Sequence, residues 1–196
     1  MASPARPQRL ALREPEPPLA DGVVSLRRWR DGDAGCLEEA ATDPVIPRYT
    51  TVPPTYDASA ARTYVRRQWR RVETGEGLSL AIARGSDDAA VGSVVLLARP
   101  QADVVGIGYW LVPRVRGGGL ATRAVTLLAG WAIDVLGIVR VEAWVEPGNV
   151  ASERVLARAA FVREGVLRSF LVLADGRSDA TVFARVAGSG GQAPNP

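Results

Sequence analysis

The stretch Arg114-Val115-Arg116-Gly117-Gly118-Gly119-Leu120-Ala121 holds the residue types and spacing that point most directly to chemistry. It leads into apolar residues at three- and four-residue spacing, Leu120, Ala124, Leu127, Leu128, Trp131, Ala132 and Val135, which predicts a helix starting just after the last glycine. Glycines without Cβ atoms let backbone N–H groups turn toward an anion, and a helix N-terminus favours negative charge at the same point. That chemistry is phosphate binding. The competing reading is a flexible strand-to-helix turn with no ligand. A P-loop would need Gly-Lys-Ser/Thr and a dinucleotide fingerprint Gly-x-Gly-x-x-Gly, and neither spacing occurs here.

Composition removes other chemistries. The chain of 196 residues has no histidine and one cysteine, so the usual zinc sites and Ser/His/Asp or Cys/His nucleophilic systems cannot be assembled. All 24 basic residues are arginine, which excludes a Schiff-base lysine. Any side chain that accepts a proton near neutral pH would be a carboxylate. The net charge of +3 comes from arginines scattered among 21 acidic residues, a pattern that favours a solvated surface over a nucleic-acid interface. Cys36 has no partner for an intramolecular disulfide and is read as a space-filling helix residue. No apolar run approaches the roughly 20 residues that span a bilayer, and the N-terminus lacks a signal-peptide stretch; a cytoplasmic protein without membrane partners is expected.

The elements that must position the glycine loop follow from periodicity. Residues 1–21 are rich in Pro, Ala, Arg and Glu and read as a disordered arm, residues 22–187 as a single domain, and residues 188–196 as a disordered tail. Strands are expected at 23–29, 78–84, 91–97, 104–111, 139–145, 165–173 and 178–186. Helices are expected after Asp31 or Asp33, after the Asp57 cap, over 120–135 and over 150–159, with an irregular proline-rich loop between Asp43 and Thr55. The order β, α, α, β, β, β, α, β, α, β, β is that of a mixed α/β layer fold with a strand–helix–strand unit at its centre.

Arg116, Gly119 and Ala121 also fit the Arg/Gln-x-x-Gly-x-Gly/Ala signature of the GNAT superfamily. The span from Val23 to Val186 resembles its RimJ/RimL-type branch, whose best-known members acetylate N-terminal amines of ribosomal proteins. The resemblance rests on Leu26-Arg27-Arg28-Trp29, Asp43-Pro44, Gly108-Tyr109-Trp110-Leu111, Arg140-Val141-Glu142, Asn149-Val150-Ala151-Ser152 and Gly165-Val166-Leu167-Arg168, in that order. It implies a mixed central sheet, flanked by helices and splayed between its fourth and fifth strands. Acetyl-CoA, as co-substrate, would lie in the splay along Tyr109, Trp110, Leu111 and Val112. Its pyrophosphate would sit on Arg116, Gly117, Gly118, Gly119, Leu120, Ala121 and Thr122. No metal is implied, and either a monomer or a homodimer would serve.

The implied reaction is acetyl transfer to a primary amine, on a protein N-terminus or a small molecule, by direct attack in a ternary complex. Glu142, on the strand across the splay, is the candidate proton acceptor, and a salt bridge to an arginine such as Arg140 is its equally open alternative. Glu38, Glu39 and Asp43 are weaker rivals. Many relatives carry a tyrosine four positions beyond the site of Ser152, where this chain has Leu156. The resemblance therefore assigns the hydroxyl near the CoA sulfur to Ser152, which otherwise merely serves the first turn of its helix. Asn149 is open to contacting the cofactor, to capping that helix, or to both. Ala160 stands where the family usually has glycine before phenylalanine, which is harmless unless the backbone there needs positive φ. Trp110 and Trp144 are the tryptophans expected near the ligand. The alternative from another class is a catalytically silent acyl-CoA-binding module of the same fold.

Overall fold

Eight strands form one sheet in the order β1-β2-β3-β4-β5-β6-β8-β7. The structure is a computed structural model and describes residues 12–173 and 175–188. The strands are β1 (Leu19–Ala20), β2 (Val24–Arg27), β3 (Gly77–Arg84), β4 (Ala90–Ala98), β5 (Val104–Leu111), β6 (Arg140–Val145), β7 (Val162–Leu173) and β8 (Gly176–Val186). The helices are α1 (Ala34–Thr42), α2 (Ile46–Tyr49), α3 (Ala58–Thr74), α4 (Leu120–Asp134) and α5 (Val150–Arg158). Every strand pair is antiparallel except β5 with β6. Among the described residues no helix is long and apolar enough to cross a membrane.

β3 and the first five residues of β4 are buried at every position except Arg84 of β3, as strands covered on both faces must be. α3 packs on β3 and α1 on β4, while α4 lies across β2, β5 and β6. Trp29, at 1% exposure, touches Tyr64 of α3 edge-on at 5.5 Å and Trp110 of β5 at 6.1 Å, so Trp110 points to the α3 face. Residues two apart share a face, which puts Gly106 and Gly108 there with Trp110. The partner register, Val104 opposite Arg140 and Gly106 opposite Glu142, adds Arg140, Glu142 and Trp144 to the same face. Val141, Ala143 and Val145 point the other way and are buried. Cys36 is buried in the core, and burial pushes its thiol up to about 12, which fits the space-filling role expected of it.

Two elements went unread in the sequence. β1 pairs Leu19 with Leu26, and Leu12 is buried, so the folded unit reaches back to Leu12 instead of starting at Gly22. Two isolated apolar anchors in a proline-rich segment carry no periodicity, which is why the segment reads as an arm. The remaining arm residues 1–11 and tail residues 189–196 lie outside the described residues. α2 forms inside the proline-rich loop because Pro47 falls in its first turn, where a missing N–H costs nothing, and Asp43 accepts from the amides of Val45 and Ile46. The added β1 makes the splayed strands fifth and sixth in the chain; they are the same two strands that the sequence indicated.

Ala160 has φ +63, so the turn from α5 into β7 does need the left-handed conformation, and alanine adopts it at a cost. Ala160→Gly should raise stability by about 0.5–1 kcal/mol, the relief of strain outweighing the extra freedom of the unfolded chain. Gly119→Ala, at φ +79, should lower it by about 1 kcal/mol. Paired melting curves check both signs, and a loss in Ala160→Gly would show that the turn is unstrained.

Candidate active site

β5 and β6 hydrogen-bond over three residue pairs only, Val104 with Arg140, Val105 with Val141 and Gly106 with Glu142. Beyond Gly106 they part, so Ile107 to Leu111 have a strand partner on the β4 side alone. Backbone groups facing that wedge are available to an extended ligand. Tyr109 reaches across it: its hydroxyl donates to the carbonyl of Ser152 in α5 at 3.1 Å. Burial pushes that hydroxyl up to about 12, so it keeps its proton.

At the open end of the wedge the glycine loop turns into α4. Gly117 and Gly119 have φ +84 and +79, and Cβ atoms built on them would meet nothing within 4 Å. The loop is therefore open, and two of its three glycines are demanded by backbone conformation. Gly119 is the N-cap of α4 and offers no side chain to the first amides, whereas Asp57 caps α3 and Asn149 caps α5. Uncapped amides of a fifteen-residue helix beside an open loop suit a diphosphate. Leu120, Ala121 and Thr122 form that first turn. Arg116 is spent on bracing: its Nε donates to the Leu111 carbonyl at 3.0 Å, and its Nη2 lies 2.9 Å from the Asp43 carboxylate. Burial opposes the charge on Asp43, but the amides of Ile46 and Val45 and then Arg116 outweigh it and hold the carboxyl below its ordinary value. Asp43 thus ties the loop to α2.

Asn149 accepts from the amide of Ser152 at 3.1 Å, the capping role. The Ser152 hydroxyl has no hydrogen-bond partner among the described residues and is free to meet a ligand. Leu156 is fully buried, so the position of the missing tyrosine packs in the core. Val112 is buried at the end of β5 and donates its amide to the Val91 carbonyl.

On the α3 face, below the wedge, is a cavity of about 670 Å³ lined by residues that include Arg99, Glu142, Trp144, Glu164 and Phe170. Glu142 sits in it with both oxygens engaged: Oε1 accepts from Arg99 Nε at 2.9 Å and Oε2 from Arg140 Nε at 3.3 Å. This is the salt-bridged alternative, and it makes Glu142 a link between two arginines. Of the two tryptophans, Trp144 lines the cavity and meets Phe170 edge-on at 4.6 Å; the Trp110 side chain belongs to the core. Glu39 pairs with Arg114, and Glu38 is exposed.

The sequence reading missed Arg99 and a clasp at the cleft mouth. Arg48 of α2 donates from both Nη atoms to Glu146, at 2.7 and 3.1 Å, and from Nε to Asp175 of the β7–β8 turn at 3.0 Å. The Tyr49 hydroxyl also donates to Glu146. Arg48 first and Tyr49 second hold the Glu146 carboxyl down at about 2. Alternation along Arg140, Glu142, Trp144 and Glu146 signalled that face, but the partners come from loops far away in sequence.

Comparison with known proteins agrees with this geometry. Residues 24–162 match the sequence profile of the acetyltransferase (GNAT) domain. The chain is 35% identical over 115 residues to "Probable N-acetyltransferase YjcK" of Bacillus subtilis, a match that covers 58% of this chain and 64% of that protein. It is 29% identical to the N-acetyltransferase p20 of Bacillus licheniformis over 75% of this chain and 83% of that one. RimJ of Mycobacterium smegmatis, solved in complex with CoA-disulfide, superposes with a TM-score of 0.76 at 25% identity, covering 88% of this chain and 86% of its own. The chain belongs to the GNAT family of acetyltransferases.

Proposed function

We propose that this acyl-CoA-dependent N-acyltransferase moves an acetyl group from acetyl-CoA to a primary amine, both substrates meeting where β5 and β6 part. The observation that carries the reading is the wedge between these strands opening opposite the uncapped N-terminus of α4. The glycine loop and Leu120 to Thr122 hold the pyrophosphate, and the free edge of β5 up to Leu111 takes the pantetheine arm as an added strand, beside Val112, whose own amide is bonded to Val91. Acetyl-CoA supplies an activated thioester carbonyl. In the transfer an N–C bond forms, the C–S bond breaks, the amine loses one proton and the departing thiolate gains one.

This chain's residues contribute position and hydrogen-bond donors. Backbone N–H groups of β5 near Trp110 and Leu111 stabilise the carbonyl oxygen as charge develops on it. The Ser152 hydroxyl, on α5 beside the wedge, donates a hydrogen bond to the departing sulfur, and the thiolate takes its proton from water. Glu142 is a positioning residue that fixes Arg99 and Arg140, and the amine releases its proton to water in the cavity. The buried Leu156 favours a second reading, an acyl-CoA-binding module without turnover; CoA release in the presence of amines separates the two.

Acetyl-CoA should raise the melting temperature of the wild-type protein by mass action, and Gly118→Glu should abolish that rise. Gly118 has no positive φ, so the variant adds a carboxylate to the loop without backbone strain. A retained shift would remove the loop from cofactor binding. For Ser152→Ala, kcat should fall by about ten- to a hundredfold while acetyl-CoA affinity changes little, as expected of a group used only in the transition state; equal losses would mark a binding residue. Glu142→Gln should lower kcat/KM yet keep the shape of the wild-type pH profile. A lost ascending limb would make Glu142 the proton acceptor.

A further inference from the structure

The cavity below the wedge holds an alternating chain of charges. Arg99 donates through Nε to Glu142, Arg140 donates through Nε to Glu142, and the Nη1 and Nη2 of Arg140 donate to the two oxygens of Glu164 at 2.9 and 2.6 Å. All four carboxylate oxygens are matched. Of the donors on these four side chains, the outer nitrogens of Arg99, Nη1 and Nη2, are the ones with no partner among the described residues.

Arg99 is also fixed in place. Its guanidinium carbon lies 3.6 Å from the centre of the Trp144 ring, and its side chain is 14% exposed. Gly106 makes the room: a Cβ there would lie 2.3 Å from Nη2. The guanidinium therefore rests over the last residue pair before β5 and β6 part, stacked on one side and gripped at Nε by Glu142. The two outer nitrogens meet the cavity with no partner among the described residues, and the shape that completes an end-on guanidinium pair is a planar carboxylate.

We propose that the acceptor is a small amino-carboxylate, a molecule bearing both a primary amine and a carboxylate, and that Arg99 binds its carboxylate. This rests on the acetyl-transfer reading and adds the substrate class. With the carboxylate on Arg99 at the level of Gly106, the amine points up the wedge past Gly108, about 7 Å along the strand, toward Trp110, about 13 Å along it. Trp144, Phe170 and Leu167 enclose the carbon chain between them. A protein N-terminus, whose neighbouring carbonyl is an amide, leaves the fork unfilled.

The test compares amino acids with the amines left when their carboxylate is removed: ornithine with putrescine, lysine with cadaverine, and 4-aminobutyrate with propylamine, each assayed with full-length protein by CoA release. Wild-type kcat/KM should favour the carboxylated member by at least thirtyfold after correction for the free-amine fraction. Arg99→Gln should erase that preference mainly through KM, and Arg99→Lys should restore only part of it. Gly106→Ala should also erase it, by displacing the fork without removing its charge. In each variant a retained acetyl-CoA melting shift certifies the fold. Equal rates on both members, or faster turnover of peptide N-termini, would overturn the carboxylate assignment while leaving acetyl transfer intact. Absence of CoA release with every amine would overturn the transfer reading and this one with it.

Discussion

The parting of β5 and β6 after three paired residues is the constraint on which the rest of the structure depends. A parallel pair inside a sheet ordinarily continues until both strands end, because each unpaired backbone group taken from water costs free energy. Here the two strands diverge while both are still extended, so the edge of β5 from Ile107 to Leu111 faces a wedge. The sheet remains whole below Gly106, where pairing across Val104 to Gly106 holds its two halves in one register. Above that point α4 and its glycine loop lie on one side of the gap and α5 on the other.

The surroundings of the wedge are built to stay open. Arg116 joins the end of β5 to Asp43, and Asp43 organises α2, so the glycine loop is held from its flank and its own amides are left available. Tyr109 spans the gap to the Ser152 carbonyl, and Asn149 fixes the first turn of α5, which sets the place of the Ser152 hydroxyl. At the mouth, Arg48 binds α2, the end of β6 and the β7–β8 turn together through Glu146 and Asp175. These ion pairs are partly exposed, and each contributes little to global stability. Their effect is to fix the relative position of three segments that border one cleft.

Much of this was legible in the sequence wherever a local pattern carried it. Leu120 to Val135 announced α4, the glycines announced the loop, and Asn149 announced the cap, because periodicity, lost Cβ atoms and capping are properties of neighbouring residues. α2 was hidden by the prolines around it, and β1 by its length of two residues. Ala160 required a backbone angle that residue identity does not reveal. The partners of Glu142 were only half visible: Arg140 lies two residues away, but Arg99 arrives from the β4–β5 turn, and only the fold brings it over Gly106. The bare face left by Gly106 and Gly108 was the readable sign that something approaches β5 closely there.

Hydrogen exchange with and without acetyl-CoA tests the central claim most directly, because it reads the wedge and the loop one amide at a time. Acetyl-CoA should slow exchange in two segments, Ile107 to Leu111 and Gly117 to Thr122, with smaller changes in the first turn of α5 and little in β3 or β4, which are already protected. Binding that protected other segments and left these two unchanged would contradict the placement of the cofactor between β5 and β6.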